Sequence, residues 1–318
     1  MDAAVKPRLM RDVVIETICA AARKDKDILF ISADLGAVAL DDLRRDLPNQ
    51  FIHAGIAEQH MVDLASGLAL SGKKVFCYAM APFITARCYE QIKCVISSMN
   101  LPVTFIAVGV GLGYDHATLT HFTPEDIACM RALNGIEVLT PADELVAAEI
   151  ATRAIHAPAF RYLRLDRQVF PFLYQGNAAQ VLEAGFGEVR KGKDVAIVAC
   201  GALVHKALAA AETLAAQGVS AGVVDLVRVK PLDGAGLAKT LKGYKSILTV
   251  EEQLLEGGMG SAVMEAIVDA TGKLDWPVKR LGMKDKFQVV NGDRDHLHKL
   301  YGVDTPDIVS AAKALAKG

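Results

Sequence analysis

Apolar and polar positions exchange between two spacings along this chain. Residues 9–24 (LMRDVVIETICAAARK) carry apolar side chains at helical intervals, and the unbroken run 28–32 (ILFIS) predicts a buried strand. The exchange then repeats. It predicts helices at 56–71, 84–99, 124–134 and 143–156, and strands at 74–79, 103–108, 136–140 and 160–165. Pro124, with Glu125 and Asp126 behind it, marks a helix start. Residues 166–193 break the rhythm with Pro171, Gly176, Gly185, Gly187 and Gly192, and predict a linker plus an opening hairpin or edge strand. A second alternation predicts strands at 194–200, 220–226, 246–250 and 278–282, and helices at 203–217, 234–242, 258–271 and 305–317.

This alternation predicts an α/β fold of two doubly wound domains, each a mostly parallel sheet covered by helices on both faces. The expected organisation is a first domain at 1–170, a linker at 171–190 and a second domain at 191–318. Ligands of such sheets gather beyond the carboxyl ends of the strands. The informative residues should therefore follow strands.

Composition narrows the classes. Lys plus Arg is 35 and Asp plus Glu is 37, a formal net charge of −2, too balanced for a protein that neutralises many phosphates of a nucleic acid. Hydrophobic residues make up 52% of the 318, which excludes a disordered chain. None of the six Cys pairs at C-x-x-C spacing. No run approaches the ~20 apolar residues of a membrane span, and MDAAVKPRLMRD lacks the apolar core of a signal peptide. The expectation is a soluble protein of the reducing cytoplasm, with no membrane partner.

Several constellations follow strands. Gly55-Ile56-Ala57-Glu58-Gln59-His60 succeeds a short strand-like FIHA (51–54); Gly55 permits a tight turn, and Glu58 falls in the first turn of a helix, where an acid is favoured in any case. Asp34 lies in Ser32-Ala33-Asp34-Leu35 and could instead cap the next turn. Phe83 precedes Tyr89-Glu90-Gln91-Ile92, and either aromatic could be core. His121 opens His121-Phe122-Thr123-Pro124-Glu125-Asp126 and could simply cap the helix behind it. Arg161, Arg164 and Arg167 space FRYLRLDRQ in a way that suits a solvated strand face. Glu251 and Glu252 read as exposed carboxylates, and Gly257-Gly258-Met259-Gly260 is too incomplete for a dinucleotide loop.

Taken in order over residues 10–315, these segments resemble the thiamine diphosphate-dependent transketolase family. GIAEQH with its Ala/Gly-rich helix is similar to the pyrimidine-binding domain of transketolases and 1-deoxyxylulose-5-phosphate synthases. Leu139-Thr140-Pro141-Ala142-Asp143 is similar to the family's P-A-D. Val250-Glu251-Glu252 with Gly257–Val263 is similar to its C-terminal domain. The resemblance implies thiamine diphosphate as cofactor. The family needs a carboxylic acid on N1′ of the pyrimidine, favouring the tautomer of the 4′-amino group that removes the C2 proton. A group sharing a proton near neutral pH needs a raised pKa, which burial supplies. The resemblance assigns this role to Glu58. It assigns the flat ring partner to Phe83, with Tyr89 second, and a place near the cofactor to Asp34. His121 becomes the histidine that steadies charge on a ketose oxygen, and Arg167, with Arg164 as fallback, the phosphate grip.

Two departures stand out. The stretch Gly109–Thr120 lacks the family's Asp-Gly before the histidine, which leaves the donor sugar open, and His53 stands where Asn is common. The G-D-G and Asn pair that bind Mg²⁺-diphosphate are not found; the only Gly-Asp is Gly292-Asp293, followed by Arg294, and no Asn-Asn occurs. No metal ligand is therefore expected in this chain. The resemblance implies the C-terminal subunit of a split transketolase, with Mg²⁺ and diphosphate held by a separate N-terminal subunit in an α₂β₂ assembly, and sugar phosphates as substrates. The rivals are a beta-type subunit of a 2-oxo acid dehydrogenase, another thiamine diphosphate-dependent carboligase, and a non-catalytic protein on the same scaffold.

Overall fold

The central strands of this protein are buried on both faces, and that sets its layers. The structure is a computed structural model and describes residues 6–286 and 290–317. The first sheet contains β1 (Ile28–Ser32), β2 (Phe51–His53), β3 (Lys74–Met80), β4 (Val103–Val108), β5 (Glu137–Leu139) and β6 (Arg161–Leu165), all mutually parallel. Side chains alternate across it. Phe76, Tyr78, Ile106 and Val108 pack towards helices Met10–Ala22 and Glu144–His156. Val75, Cys77, Ala79, Phe105 and Ala107 pack towards helix Glu58–Leu70.

The second sheet contains β7 (Gly187–Arg190), β8 (Val195–Ala199), β9 (Ala221–Asp225), then β11 (Ser246–Leu254) and β12 (Val278–Met283), in the order β12-β11-β8-β9-β7. Only its edge strand β7 runs antiparallel. Helices Leu203–Ala215 and Thr305–Lys317 cover one face. The other face joins the same hydrophobic cluster as the first sheet, so one apolar core runs through both domains. A further strand, β10 (Arg228–Lys230), leaves the second domain and pairs antiparallel with β5, giving a first sheet ordered β10-β5-β6-β4-β3-β1-β2.

The two doubly wound domains match the fold class expected from the sequence. Three details differ. Helix Ala178–Ala184 occupies part of the segment expected as linker, where β7 supplies the expected edge strand. Strand β11 continues through both glutamates to Leu254 instead of ending at residue 250. The expected helix at 84–99 is broken: a short helix Ala81–Thr85 with Pro82 in its first turn gives way to a turn, then to Tyr89–Gln91 and a π-helical stretch Ile92–Ser97. Side chains take over acceptors at the break. Thr85 Oγ1 donates to the Ala81 carbonyl at 2.7 Å, and Cys88 Sγ donates to the Phe83 carbonyl at 3.2 Å.

The domains also meet at a buried carboxyl. Asp225, at the end of β9, accepts a hydrogen bond from the Tyr174 hydroxyl at 2.9 Å, while Asp143 takes the Leu173 and Tyr174 N–H groups. Burial pushes Asp225 up to about 8; the Tyr174 hydrogen bond opposes this and the nearby Asp143 charge adds to it. The unfolded chain ionises this group near pH ~3.9. The folded state therefore holds the extra proton between those values, and stability falls as pH rises through that window. Asp225→Asn keeps the shape without the charge. Its stability advantage over the native protein should grow by a few kcal/mol between pH 5 and pH 8.5, read from urea midpoints; an unchanged difference would show that Asp225 titrates normally.

Candidate functional site

Five neighbouring strands of the first sheet end on one rim, and the expected site residues follow them in order. Asp34 follows β1, Glu58 follows β2, Phe83 follows β3, His121 lies in the loop after β4, and Arg167 follows β6. This is where an open parallel sheet presents its ligands.

Glu58 starts helix Glu58–Leu70 after Gly55, whose φ of +73° makes the turn. It is only 2% exposed, yet carries no partner from its own helix cap. Its Oε2 accepts from Arg87 Nη1 at 2.6 Å, and the same guanidinium lies over the Phe83 ring at 4.2 Å. The sequence reading omits Arg87 from the site. Its spacing is the signal that could have found it: four residues after Phe83, it comes back over the ring one turn later.

The stack continues. The Phe83 and His121 rings meet edge-on at 5.4 Å, and His121 meets Tyr114 at 5.5 Å. Arg167 lies over the other side of Tyr114 at 4.3 Å. Arg87, Phe83, His121, Tyr114 and Arg167 thus form one ladder from the buried carboxylate to an exposed guanidinium. His121 Nδ1 is 2.9 Å from Thr120 Oγ1. The loop before it holds Thr118 at φ +63°, ψ −161°, which costs a β-branched residue ~1–3 kcal/mol and is typical of segments held for function.

The family description "Transketolase, pyrimidine binding domain" matches residues 6–171, and "Transketolase, C-terminal domain" matches 186–308. The chain is 32% identical over 303 residues to an apulose-4-phosphate transketolase subunit from Phocaeicola vulgatus, covering 95% of this chain and 96% of the relative. It is 32% identical to a putative transketolase C-terminal section of Methanocaldococcus jannaschii, covering 94% and 93%. A solved structure described as a split gene transketolase, inactive beta4 tetramer, superposes with a TM-score of 0.83 at 30% identity, covering 98% of this chain and 99% of that one. The chain belongs to the transketolase family.

It is a transketolase-type enzyme subunit, as the resemblance implied, and the structure sorts the transketolase motifs into site and scaffold. Three expectations need correction. Tyr89 is tied to the core: its hydroxyl donates to the Cys129 carbonyl at 3.0 Å and its ring packs on the core. Arg164 is no phosphate grip, because all its nitrogens are spent inside: on Asp126 at 2.8 and 3.2 Å and on Thr140 at 3.0 Å. Nor is FRYLRLDRQ a solvated face, since Arg161 is buried against Glu137 and every residue of β6 is buried. Arg167 remains exposed, with a single carbonyl contact to Gly113 at 3.5 Å.

The two glutamates of β11 are also buried, at 0% and 5% exposure. Glu251 accepts from the Met259 and Gly260 N–H groups at 2.5 and 2.8 Å and so fills the helix start that a dinucleotide phosphate would use. Glu252 is clamped by Arg294 and His298, which hold its carboxyl well below the usual range against its burial. Asp143 of the P-A-D motif caps helix Glu144–His156 through the Val146 N–H at 3.0 Å. Asp34 caps nothing: at φ +50° it faces His53, with Nε2 3.3 Å from its Oδ1. Nor does His121 cap helix Asp126–Arg131, which has no side-chain cap bond.

Proposed function

We propose that this chain holds the aminopyrimidine half of thiamine diphosphate and works with a separate subunit that holds the Mg²⁺-diphosphate half. The observation that carries the reading is a buried carboxylate, with one oxygen on Arg87 and the other without a hydrogen bond among the described residues, near the Phe83 ring on the carboxyl rim of the first sheet. Bound thiamine diphosphate supplies the nucleophilic carbon that takes a two-carbon ketol unit from a ketose and passes it to an aldose. Glu58, with Oε2 on Arg87, would hold the pyrimidine N1′ through Oε1 and serve there as the acid–base group. Phe83 gives the ring its flat partner, and Asp34 stands near the cofactor's edge of the rim. His121, one ring contact away, hydrogen-bonds the ketose oxygen; Arg167 takes the substrate phosphate at the far end of the ladder.

The partner reading has two supports. The Phocaeicola relative is itself named as one subunit of its transketolase, and the superposing structure is of a split-gene protein. In addition, Val38 (83% exposed), Ile56 (76%) and Leu119 (38%) are exposed apolar side chains on segments that follow β1, β2 and β4, the strands that also lead to Asp34, Glu58 and His121. An α₂β₂ assembly closes each site between chains. No helix among the described residues is long and apolar enough to cross a membrane. The described cysteines are free thiols, which suits the cytoplasm.

The test is reconstitution with the chain that carries G-D-G and the Asn pair. Calorimetry should show thiamine diphosphate binding by the mixture at least tenfold tighter than by either chain, and only the mixture should transfer ketol units. Robust turnover by this chain alone would end the reading.

A further inference from the structure

Arg167 is exposed and touches no carboxylate among the described residues, so its position is set by what lies beneath it. Two supports are visible, and both rest on one residue of the other domain. The first is its own turn. Asp166, immediately before it, accepts the Gln168 N–H at 2.9 Å, and Arg294 binds Asp166 with Nη1 at 2.8 Å and Nη2 at 2.7 Å. Arg294 Nη1 also lies 3.5 Å from Gln168 Oε1. The second support is the Tyr114 ring. Its loop passes Gly111, at φ +59°, so close to Glu252 that a Cβ there would come within 2.5 Å of Glu252 Oε2. Glu252 is in turn held by Arg294 through Nε at 2.7 Å and Nη2 at 2.6 Å.

Arg294 is 4% exposed, and its fork is divided between a carboxylate of the first domain and one of the second. Both neighbours keep it fully charged. Burying such a cluster gains little net stability over apolar packing; what it supplies is fixed geometry. The neighbouring ionisable groups are Asp166, Glu252, and His298, which contacts Glu252.

We propose that Arg294 is a positioning residue through which the second domain fixes the phosphate-binding arginine and its aromatic platform, and so sets affinity for phosphorylated sugars. This rests on the reading of Arg167 as the phosphate grip. The geometry makes the second domain part of substrate selection. Loss of the fork frees the 166–168 turn and the Glu252 side chain behind Gly111, while Gly109 stays bonded to Leu165 beneath the Tyr114 ring and Glu58 and Phe83 keep their own supports.

The experiment uses the reconstituted two-chain enzyme with a pentose 5-phosphate and, separately, glycolaldehyde as acceptor. Arg294→Lys keeps the charge but loses the fork. It should raise KM for the sugar phosphate tenfold to a hundredfold, with kcat, thiamine diphosphate affinity and KM for glycolaldehyde within about twofold. Asp166→Asn, which keeps the acceptor for Gln168, should show the same split and carries the test if Arg294→Lys does not fold. Arg167→Met is the control. If it leaves KM for the sugar phosphate unchanged, the phosphate-grip reading fails. If it raises that KM while both other variants raise the two acceptors' KM equally, lower kcat alone, or change nothing, the positioning role is overturned and the grip stands.

Discussion

Glu58→Gln is expected to lower kcat of the reconstituted enzyme roughly 10²- to 10⁴-fold, the range lost with a positioned acid–base group, while the protein melts within a few degrees of the original. The two halves of this expectation have separate causes. Gln keeps the size of the side chain at the start of helix Glu58–Leu70, so the buried site stays filled. Its amide still offers an oxygen to Arg87, whose side chain is 41% exposed and can be solvated where the pairing weakens. What Gln cannot do is share a proton with a ring nitrogen. The loss should therefore appear in kcat, with thiamine diphosphate affinity altered less than the rate. Unchanged turnover would favour the rival reading of a non-catalytic protein on this scaffold.

The largest stability effect should come from Arg164. Arg164→Met leaves Asp126 fully buried with the Tyr162 hydroxyl and one backbone N–H for company but no counter-charge. Removing one partner of such a pair costs about 3–5 kcal/mol, because the remaining charge is stranded. For a chain of this size that is a fall in Tm of roughly five to eight degrees. Any loss of activity should follow the loss of folded protein. Arg167→Met, three residues on, should leave Tm within about a degree or two. Calorimetric scans of the two variants side by side separate scaffold from site; equal Tm values would mean that Arg164 is not the core ion pair described.

What the sequence reveals and conceals here follows from the range of the forces involved. Strands such as 28–32 and 103–108 and helices such as 143–156 are local: their apolar spacing alone decides them, and they lie within a residue or two of expectation. The shared rim of Asp34, Glu58, Phe83, His121 and Arg167 was legible because each follows a strand in an ordered motif. The buried charges were not. Glu252 reads as exposed until Arg294, 42 residues later, is brought against it, and Arg164 reads as solvated until Asp126 closes on it from 38 residues away. Arg87 was missed although its spacing from Phe83 is legible, because its carboxylate partner Glu58 lies 29 residues earlier in the chain. Strand β10 was too short to carry a pattern of its own.

That three-residue strand has a consequence for how the protein can be made and handled. Cutting the chain after β6 would strip β5 of its outer neighbour, leaving β6 on one side and a raw sheet margin on the other, open to any passing extended peptide. During synthesis the first sheet waits for residues 228–230 before its last seat is taken, so the amino-terminal half spends that interval as a sticky intermediate. The two lobes are therefore a single folding unit, and an expression fragment ending near residue 170 should come out as aggregate.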